Sequence, residues 1–458
     1  MVWYVRGKII MGKKITPVKI FVPYWIFTLV LYAFGPLDWV TYHPVIFWTL
    51  NILFIIAFIV GWQVGKKGNS PNTFIWKEAD IEQLVKKLPL LLWINLFYEI
   101  ITSFRSFLFT SFDVSGLLHR ILYGINNMGK SYNSFQDNVT VSGAAVVGGH
   151  VITIFNYMWS FASFAIFLVS LLYFKQLKKM SKVIVCMTYF IVTISYIARG
   201  TNIGVFRVIL AFLVFYYIKY SKNIRSAKQS GSRGKSRVNL IVLSIIAIIA
   251  VIYLFNKIML SRGGILFWND SSYNIGGIGI NQDSVFFKVL PAGLHRLLVS
   301  LSSYLSQGYY GMSLTLRTDW IPMFGLGSSK TIQDLLSNFF PSIGELTYQS
   351  RIAEFGWDDY TRWHSMYSWF ANDVSYLGVI VVMFIFGLIF ARSYKDSINT
   401  NNPFAHLMVY YMFVMAVFLP CNNQIFQSMY LFFSFITVFL GWICTRGRKT
   451  VRFKIISR

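Results

Sequence analysis

The sequence has few charged residues and very few cysteines, and each shortage excludes a class of protein. Only 13% of its 458 residues are charged, whereas 55% are hydrophobic, and the mean hydropathy is +0.55. A soluble domain of this size could not bury so much apolar surface, so a soluble globular protein is excluded. The three cysteines, Cys186, Cys421 and Cys444, lie in or beside apolar stretches. They are typical of small core residues, not of disulfides or a metal site.

Several familiar motifs are also missing. The chain has no P-loop, which argues against an ATP-driven pump, and no recognisable metal-binding motif, so we expect neither a metal nor a cofactor. No small-residue cleavage site follows the first apolar stretch, and we therefore expect no cleavable signal peptide. The short alternating segments of a membrane β-barrel are absent from the sequence as well.

What the sequence has instead is a series of apolar runs about 20 residues long, the length that a helix needs to cross a bilayer. They predict an all-α polytopic membrane helix bundle with about ten transmembrane helices. We divide the chain into an N-terminal transmembrane bundle of about seven spans (1–259), a large extracytoplasmic loop (260–373) and a C-terminal bundle of about three spans with a basic tail (374–458). The predicted spans are 19–35, 45–62, 88–104, 148–174, 183–198, 203–220, 239–259, 374–391, 405–420 and 425–443.

The net charge of +25 suggests nucleic-acid binding, but its distribution argues against that. Dense Lys/Arg clusters occur in the N-terminal arm, in 63–87, after the fourth and sixth spans and in the C-terminal tail. The predicted topology places all of them on one face, so both termini are predicted to be cytoplasmic and the clusters to meet anionic lipid headgroups. We expect no nucleic-acid partner.

The large loop has a different composition from the rest of the chain. Between Leu260 and Asp373 it contains seven Lys or Arg and nine Asp or Glu, as expected for an outward-facing segment. The apolar spacing in Phe286–Leu305 predicts a helix at the membrane surface or folded back onto the bundle. A pair of additional short spans is the alternative there. Thr331–Phe340 predicts a second short amphipathic helix.

A tight helical hairpin is predicted at Arg199-Gly200-Thr201-Asn202, because the apolar segments on either side leave no room for a longer loop. Gly200 can adopt the backbone angles of such a turn. Arg199 would lie at the membrane face and Arg207 about one turn inside the second helix, where arginine costs roughly 2.5–3.5 kcal/mol on insertion scales. Arg207 therefore needs a partner, water or a bound anion. Snorkelling to headgroups, or pairing with an acidic residue, is the alternative.

Further ionisable residues at the outer ends of the spans predict a polar cavity open to the outer leaflet. They include Glu99, Arg262 and Asp373. Interhelical ion pairs, such as Glu99 with Arg207, are the competing interpretation. The excess of arginine favours an anionic ligand such as phosphate, and outer Trp and Tyr residues could stack on sugars or belong to the interfacial aromatic belt. His364 could exchange a proton near neutral pH or be a hydrogen-bonded interface residue.

Three features resemble the Wzy-type polymerases of O-antigens and capsular polysaccharides, which are related to the O-antigen ligases. Ala198-Arg199-Gly200-Thr201 resembles the family's Ser-Arg-Gly motif, with Ala in place of Ser. A large outer loop precedes the last spans. The loop ends in Trp363–Gly378, where a histidine is followed by polar and acidic residues and a glycine entering a helix, with a longer spacing than in the ligases.

The resemblance implies a metal-independent GT-C-type glycosyltransferase that joins undecaprenyl-pyrophosphate-linked repeat units at the outer face of the bacterial cytoplasmic membrane. It assigns pyrophosphate binding to Arg199, Arg207, Arg262 and Arg296. It assigns the catalytic roles to Arg199 and to His364 or Asp373, which would orient or deprotonate the acceptor hydroxyl. Membrane lipid, a chain-length regulator and a flippase are the other partners implied. Glu99, Arg317, Arg351 and Arg362 are further candidate site residues.

Three other functions compete with this interpretation. A ligase-like transferase would pass a finished glycan to another acceptor. A lipid-linked oligosaccharide flippase would show internal repeats and mid-membrane polar groups, whereas the sequence has no repeat and its polar residues cluster at the outer end. A metal-dependent mannosyltransferase would need acidic residues in the first outer loop, where Asp38 stands alone.

Overall fold

The computed structural model describes residues 15–68, 76–105, 116–132, 134, 149–201, 203–226, 233–263, 278–337, 339–357 and 362–446. Most of the basic N-terminal arm, residues 227–232 and the C-terminal tail after Arg446 lie outside these residues. The described part is predominantly helical and contains no strand, apart from a single bridge between Leu37 and Ile280.

The principal helices begin and end close to the predicted spans. Pro17, Pro44 and Pro403 each stand in the first turn of a helix, where the missing N–H costs nothing. In chain order the helices are α1 (Pro17–Phe34), α2 (Pro44–Lys67), α3 (Glu78–Arg105), α4 (Leu117–Asn126), α5 (Gly149–Ser160), α6 (Ser163–Leu172), α7 (Lys179–Ala198), α8 (Ile203–Ser226), α9 (Arg233–Gly263), α10 (Val285–Val289), α11 (His295–Thr315), α12 (Lys330–Leu336), α13 (Tyr348–Arg351), α14 (Met366–Asn399), α15 (Pro403–Phe418) and α16 (Met429–Thr445).

Six stretches of the described helices are long and apolar enough to cross a membrane. Three shorter apolar helices accompany them, within α9 and in α15 and α16. This confirms the prediction of a helical membrane protein at the level of helix length and composition. The six stretches are Pro17–Phe34, Pro44–Lys67, Ile154–Leu172, Lys179–Ala198, Ile203–Lys222 and Met366–Asn399.

Helices α2 and α14 approach each other closely through glycines. A Cβ atom added to Gly61 would lie 1.9 Å from the carbonyl oxygen of Phe384, and one added to Gly387 would lie 2.2 Å from that of Phe58. Gly65, one turn further along α2, would place a Cβ 2.7 Å from the carbonyl oxygen of Leu388. Small residues at such an interface let two helix backbones pack in direct contact without a water-driven hydrophobic force.

The large loop folds back onto the bundle, one of the two arrangements predicted for Phe286–Leu305. The predicted helix is divided, because Pro291 follows Leu290 and forces it into an extended conformation. The longer helix, α11, begins at His295 and is buried on all sides from Ser306 to Thr315. Tyr309 on this helix lies 3.0 Å from the hydroxyl of Thr28 in α1. The loop therefore contributes a packed helix to the core of the bundle.

The predicted eighth span differs from the structure at both ends. Helix α14 begins at Met366, eight residues before the predicted start, and continues to Asn399. Its helical geometry is interrupted at Ser375, which has φ 59° and ψ 170°. A non-glycine residue with positive φ is unfavourable unless its surroundings fix it. The interruption separates a short N-terminal segment of the helix, which carries Asn372 and Asp373, from the long apolar part.

The two ends of the bundle are held by different contacts. At one end, Asn281 donates its backbone N–H to Pro36 and the hydroxyl of Ser284 bonds to the carbonyl of Phe34, which ties the large loop to the α1–α2 connection. At the other end, Arg446 forms a 2.8 Å ion pair with Asp396. The large loop and the α1–α2 connection therefore lie together at one end, and the ends of α14 and α16 lie together at the other.

Candidate functional site

The predicted hairpin between α7 and α8 is present, with Arg199 at the end of α7 and α8 beginning at Ile203. Gly200 has φ +66°, a conformation that residues with a Cβ rarely adopt. A Cβ there would also lie 2.2 Å from the carbonyl oxygen of Met128. The N–H of Thr201 closes the helix end by donating to the carbonyl of Tyr196. The turn thus fixes the positions of Arg199 at the end of α7 and of Arg207 near the start of α8.

Arg207 is buried, with 7% of its surface exposed, and so it does not snorkel to the membrane surface. Its Nη1 donates to the hydroxyl of Tyr196 at 3.4 Å, and its Nη2 donates to Oε1 of Gln424 at 3.2 Å. Both acceptors are neutral. A buried guanidinium that is hydrogen-bonded to neutral groups keeps its charge available for an anion.

Arg199 contacts the same tyrosine. Its guanidinium carbon is 4.5 Å from the centre of the Tyr196 ring, and its Nε donates to the carbonyl of Ser195 at 3.1 Å. Burial lowers the pKa of Arg199, and the charge of nearby Arg207 acts in the same direction. An arginine stays protonated at neutral pH even so. Tyr196 therefore connects two cations that are 8 residues apart in the sequence.

Glu99 lies in this region but is engaged elsewhere. It is 5% exposed, and its Oε1 accepts hydrogen bonds of 2.9 Å from the hydroxyls of both Ser163 and Tyr430. The sequence allowed an ion pair between Glu99 and Arg207. Both side chains are described, and they do not form one; each is hydrogen-bonded to other groups. Glu99 acts electrostatically on Arg199 instead. The cluster of two arginines and one glutamate has a net positive charge.

A cavity of about 360 Å³ adjoins the arginine cluster. Its walls are mostly apolar, from α8, α9, α11 and the end of α15, with Phe206, Phe255 and Leu305 among them. Thr201 of the hairpin and Gln424, the hydrogen-bond partner of Arg207, also line it. Neither Arg199 nor Arg207 is itself among the lining residues, and Arg207 reaches the cavity only through its partner Gln424. The two cations therefore lie beside an apolar chamber.

Asp373, predicted as a catalytic carboxylate, holds a loop. It accepts hydrogen bonds from the backbone N–H groups of Gly325, Gly327 and Ser328 at 2.8, 2.8 and 2.9 Å. The adjacent Asn372 bonds to the same loop through the carbonyl of Gly327. A carboxylate surrounded by three amide donors is well placed to fix backbone and poorly placed to remove a proton from substrate.

Asp373→Asn is expected to loosen this loop, because an amide side chain offers one acceptor oxygen where three N–H groups need acceptors. We expect the protein to lose about 1–3 kcal/mol of stability. The measurement is the melting temperature in detergent, together with limited proteolysis between residues 320 and 330. Asp283→Asn, at an exposed aspartate of the large loop that is distant in sequence from Gly325–Ser328, is the control. Unchanged melting with lost transfer activity would instead support a catalytic role.

His364 is 1% exposed, in the segment between the large loop and α14. Its ring lies 6.4 Å from that of Trp369, and its backbone neighbour Ser365 donates to the carbonyl of Gly308 in α11. The preceding residue, Trp363, lines the cavity. His364 itself is not among the residues that line the cavity and lies behind Trp363, where its segment packs against α11.

The other predicted arginines do not join the cluster through any contact described for them. Arg317 stacks on Tyr42 and Phe355 at 4.6 and 4.1 Å, and Arg362 lies 5.4 Å from the ring of Trp357. Arg351 donates to the carbonyl of Asp319. Arg296 is half-buried on α11, and the side chain of Arg262 lies outside the described residues.

Three residues of the site, Tyr196, Gln424 and Tyr430, were not predicted from the sequence. Gln424 belongs to Pro420-Cys421-Asn422-Asn423-Gln424, a polar run between the last two predicted spans. The structure places this run at the centre of the site, because Asn423 also bonds to the carbonyl of Ser328 in the loop held by Asp373. The three consecutive amide side chains between two apolar helices could have indicated from the sequence that this connection belongs to the site.

Comparison with known proteins gives no identification, since no family model, no curated protein and no solved structure matches this chain. Among the described residues, no three His, Cys, Asp or Glu side chains are grouped so as to hold a metal ion. The metal independence implied by the resemblance stays a prediction.

Proposed function

We propose that this chain is a membrane glycosyltransferase of the Wzy type, which joins undecaprenyl-pyrophosphate-linked oligosaccharide repeat units into O-antigen or capsular polysaccharide. The observation that carries the proposal is the pairing of Arg199 and Arg207 around Tyr196, beside an apolar cavity. Two fixed guanidinium groups match the charge of a diphosphate, and the cavity would accept the first part of its polyprenyl chain.

In the proposed reaction the bond between the donor sugar's anomeric carbon and the pyrophosphate oxygen breaks. A new bond forms between that carbon and a hydroxyl oxygen of the incoming repeat unit. Negative charge develops on the departing diphosphate, where the two guanidinium groups are already oriented and need no rearrangement. The hydroxyl proton passes to a base. Because the Asp373 carboxylate is occupied by three amides, we favour His364 for orienting or deprotonating the acceptor.

The proposal includes a topology. The six long apolar stretches, the three shorter ones and α3 would together make ten spans of a GT-C-type bundle. Both termini would face the cytoplasm of a bacterial cell and the arginine cluster would face outward, as the Lys/Arg distribution predicts. The contact of the large loop with the α1–α2 connection supports placing both on the outer side. A flippase and a chain-length regulator would be its functional partners.

The test is the product formed from a lipid-linked oligosaccharide by the purified protein in vesicles. We expect a ladder of polymer lengths on the lipid, formed without added nucleotide and insensitive to EDTA. A single capped acceptor would indicate a ligase-like transferase. Movement of unextended substrate across the bilayer would indicate a flippase. The glycan profile of a deletion strain, with single repeat units accumulating on the lipid, provides the cellular counterpart.

A further inference from the structure

A second cavity, of about 1,050 Å³, extends along α8, and its polar end lies far from the arginine cluster. Its position follows from α8, which carries Arg207 near its start and Lys222 near its end. Fifteen residues of helix separate the two side chains, a distance of about 22 Å along the axis. The two cavities also share no lining residue, so the second cavity is distinct from the one beside the arginine cluster.

The walls of this cavity are apolar and come from several helices. They include the end of α6, the middle of α7, α8 from Val208 to Lys222 and the first half of α9. Surfaces of this kind, in a protein with membrane-length helices, suit hydrocarbon chains and not a soluble metabolite. The principal apolar residues are Leu171, Val185, Val208, Phe212, Phe215 and Leu243.

The polar end of the cavity carries a positive charge. Lys175, Lys219 and Lys222 line it, against the single carboxylate of Glu78. Lys222 is fixed in place, since its Nζ donates to Oδ1 of Asn401 at 2.8 Å and lies 2.9 Å from Nε2 of His406. Three lysines beside an apolar chamber are complementary to a phosphate joined to acyl chains.

The orientation of His406 supports a cationic Lys222. Nδ1 of His406 lies 2.6 Å from the carbonyl oxygen of Asn402, which can only accept a hydrogen bond, so Nδ1 carries a proton. Nε2 can then accept from the ammonium of Lys222. The imidazole is neutral in this arrangement and does not compete for an anion.

We propose that this cavity binds one anionic glycerophospholipid, with its phosphate against Lys175, Lys219 and Lys222 and its acyl chains along Phe212, Phe215 and Leu243. The predicted topology places this end of the bundle at the cytoplasmic leaflet, which is rich in such lipids. The bound lipid fills the space between α7, α8 and α9 and stabilises their packing. This inference depends on the membrane location of the chain and not on its transferase activity.

The experiment uses the full chain, purified in detergent and incubated with phosphatidylglycerol or phosphatidylcholine. Native mass spectrometry measures the lipid retained, and the melting temperature is recorded with each lipid. We expect at least tenfold higher occupancy by phosphatidylglycerol, with a rise in melting temperature that phosphatidylcholine does not give. Inorganic phosphate should neither bind nor raise the melting temperature. Equal retention of the two lipids would overturn the proposal.

Two triple variants make the test specific. Lys175→Gln, Lys219→Gln and Lys222→Gln together are expected to reduce phosphatidylglycerol retention at least tenfold. Lys87→Gln, Lys178→Gln and Lys179→Gln remove the same charge from exposed lysines outside the cavity and should leave retention unchanged. Equal losses in both variants would mean non-specific attraction and refute the site. Melting temperatures in lipid-free detergent establish that both variants are folded.

Discussion

Replacing Arg207 by alanine is expected to lower the rate of glycosyl transfer at least a hundredfold and leave single repeat units on the lipid carrier. Removing one preorganised group that stabilises developing negative charge typically costs roughly 10²–10³-fold in rate. Arg207 is fixed for such a role by its hydrogen bonds to Tyr196 and Gln424. The measurement is turnover of a lipid-linked oligosaccharide by purified protein, with polymer resolved by chain length.

Neighbouring variants separate charge from geometry. Arg207→Lys keeps a cation but loses the planar fork, so we expect a smaller loss than with alanine. Gln424→Ala removes a hydrogen-bond partner and keeps the guanidinium, so transfer should fall without disappearing. Lys87→Ala, at an exposed lysine of α3, should leave turnover unchanged.

The stability of each variant decides between a functional and a structural role for Arg207. Because the guanidinium is buried, its loss leaves the Tyr196 hydroxyl and the Gln424 amide without this partner, and some destabilisation is expected. Turnover is therefore compared per molecule of folded, monodisperse protein. Polymer of normal length and rate from folded Arg207→Ala would remove the arginine from the mechanism.

Gly61→Ala is expected to separate α2 from α14 and to prevent the protein from reaching its folded state at normal temperature. The new methyl group would lie 1.9 Å from the carbonyl oxygen of Phe384, and a backbone atom cannot move aside as a flexible side chain can. Overpacking in a core typically costs about 1–3 kcal/mol, and a backbone collision lies at the upper end of that range or beyond it. Gly387→Ala meets the carbonyl oxygen of Phe58 and should behave alike.

The measurement is the fraction of protein that stays monodisperse after heating, determined by size-exclusion chromatography. Gly293→Ala is the matched control, because a Cβ at that position meets nothing within 4 Å. Wild-type melting of Gly61→Ala would mean that α2 and α14 are further apart than described.

The sequence predicted the helices well where a local property decides them. A membrane-length helix can be predicted from an apolar run of about 20 residues, because the signal lies within that run and needs no information from the rest of the chain. The hairpin at Arg199 followed from the lack of room between two such runs. The helix predicted at Phe286–Leu305 was wrong in its bounds, because Leu290-Pro291 interrupts it and burial extends α11 to Thr315.

What the tertiary structure alone decided was the choice of partners. Arg207 meets Gln424, 217 residues away, and Glu99 meets Tyr430, 331 residues away, because helices distant in sequence pack side by side. From the sequence, Asp373 could equally be a catalytic carboxylate or a structural one. In the structure, all three of its described hydrogen bonds go to the turn at Gly325–Ser328. A sequence fixes which chemical groups exist and which segments are apolar. Only packing decides which of those groups come within hydrogen-bonding distance, since that distance is set by contacts among all the helices at once.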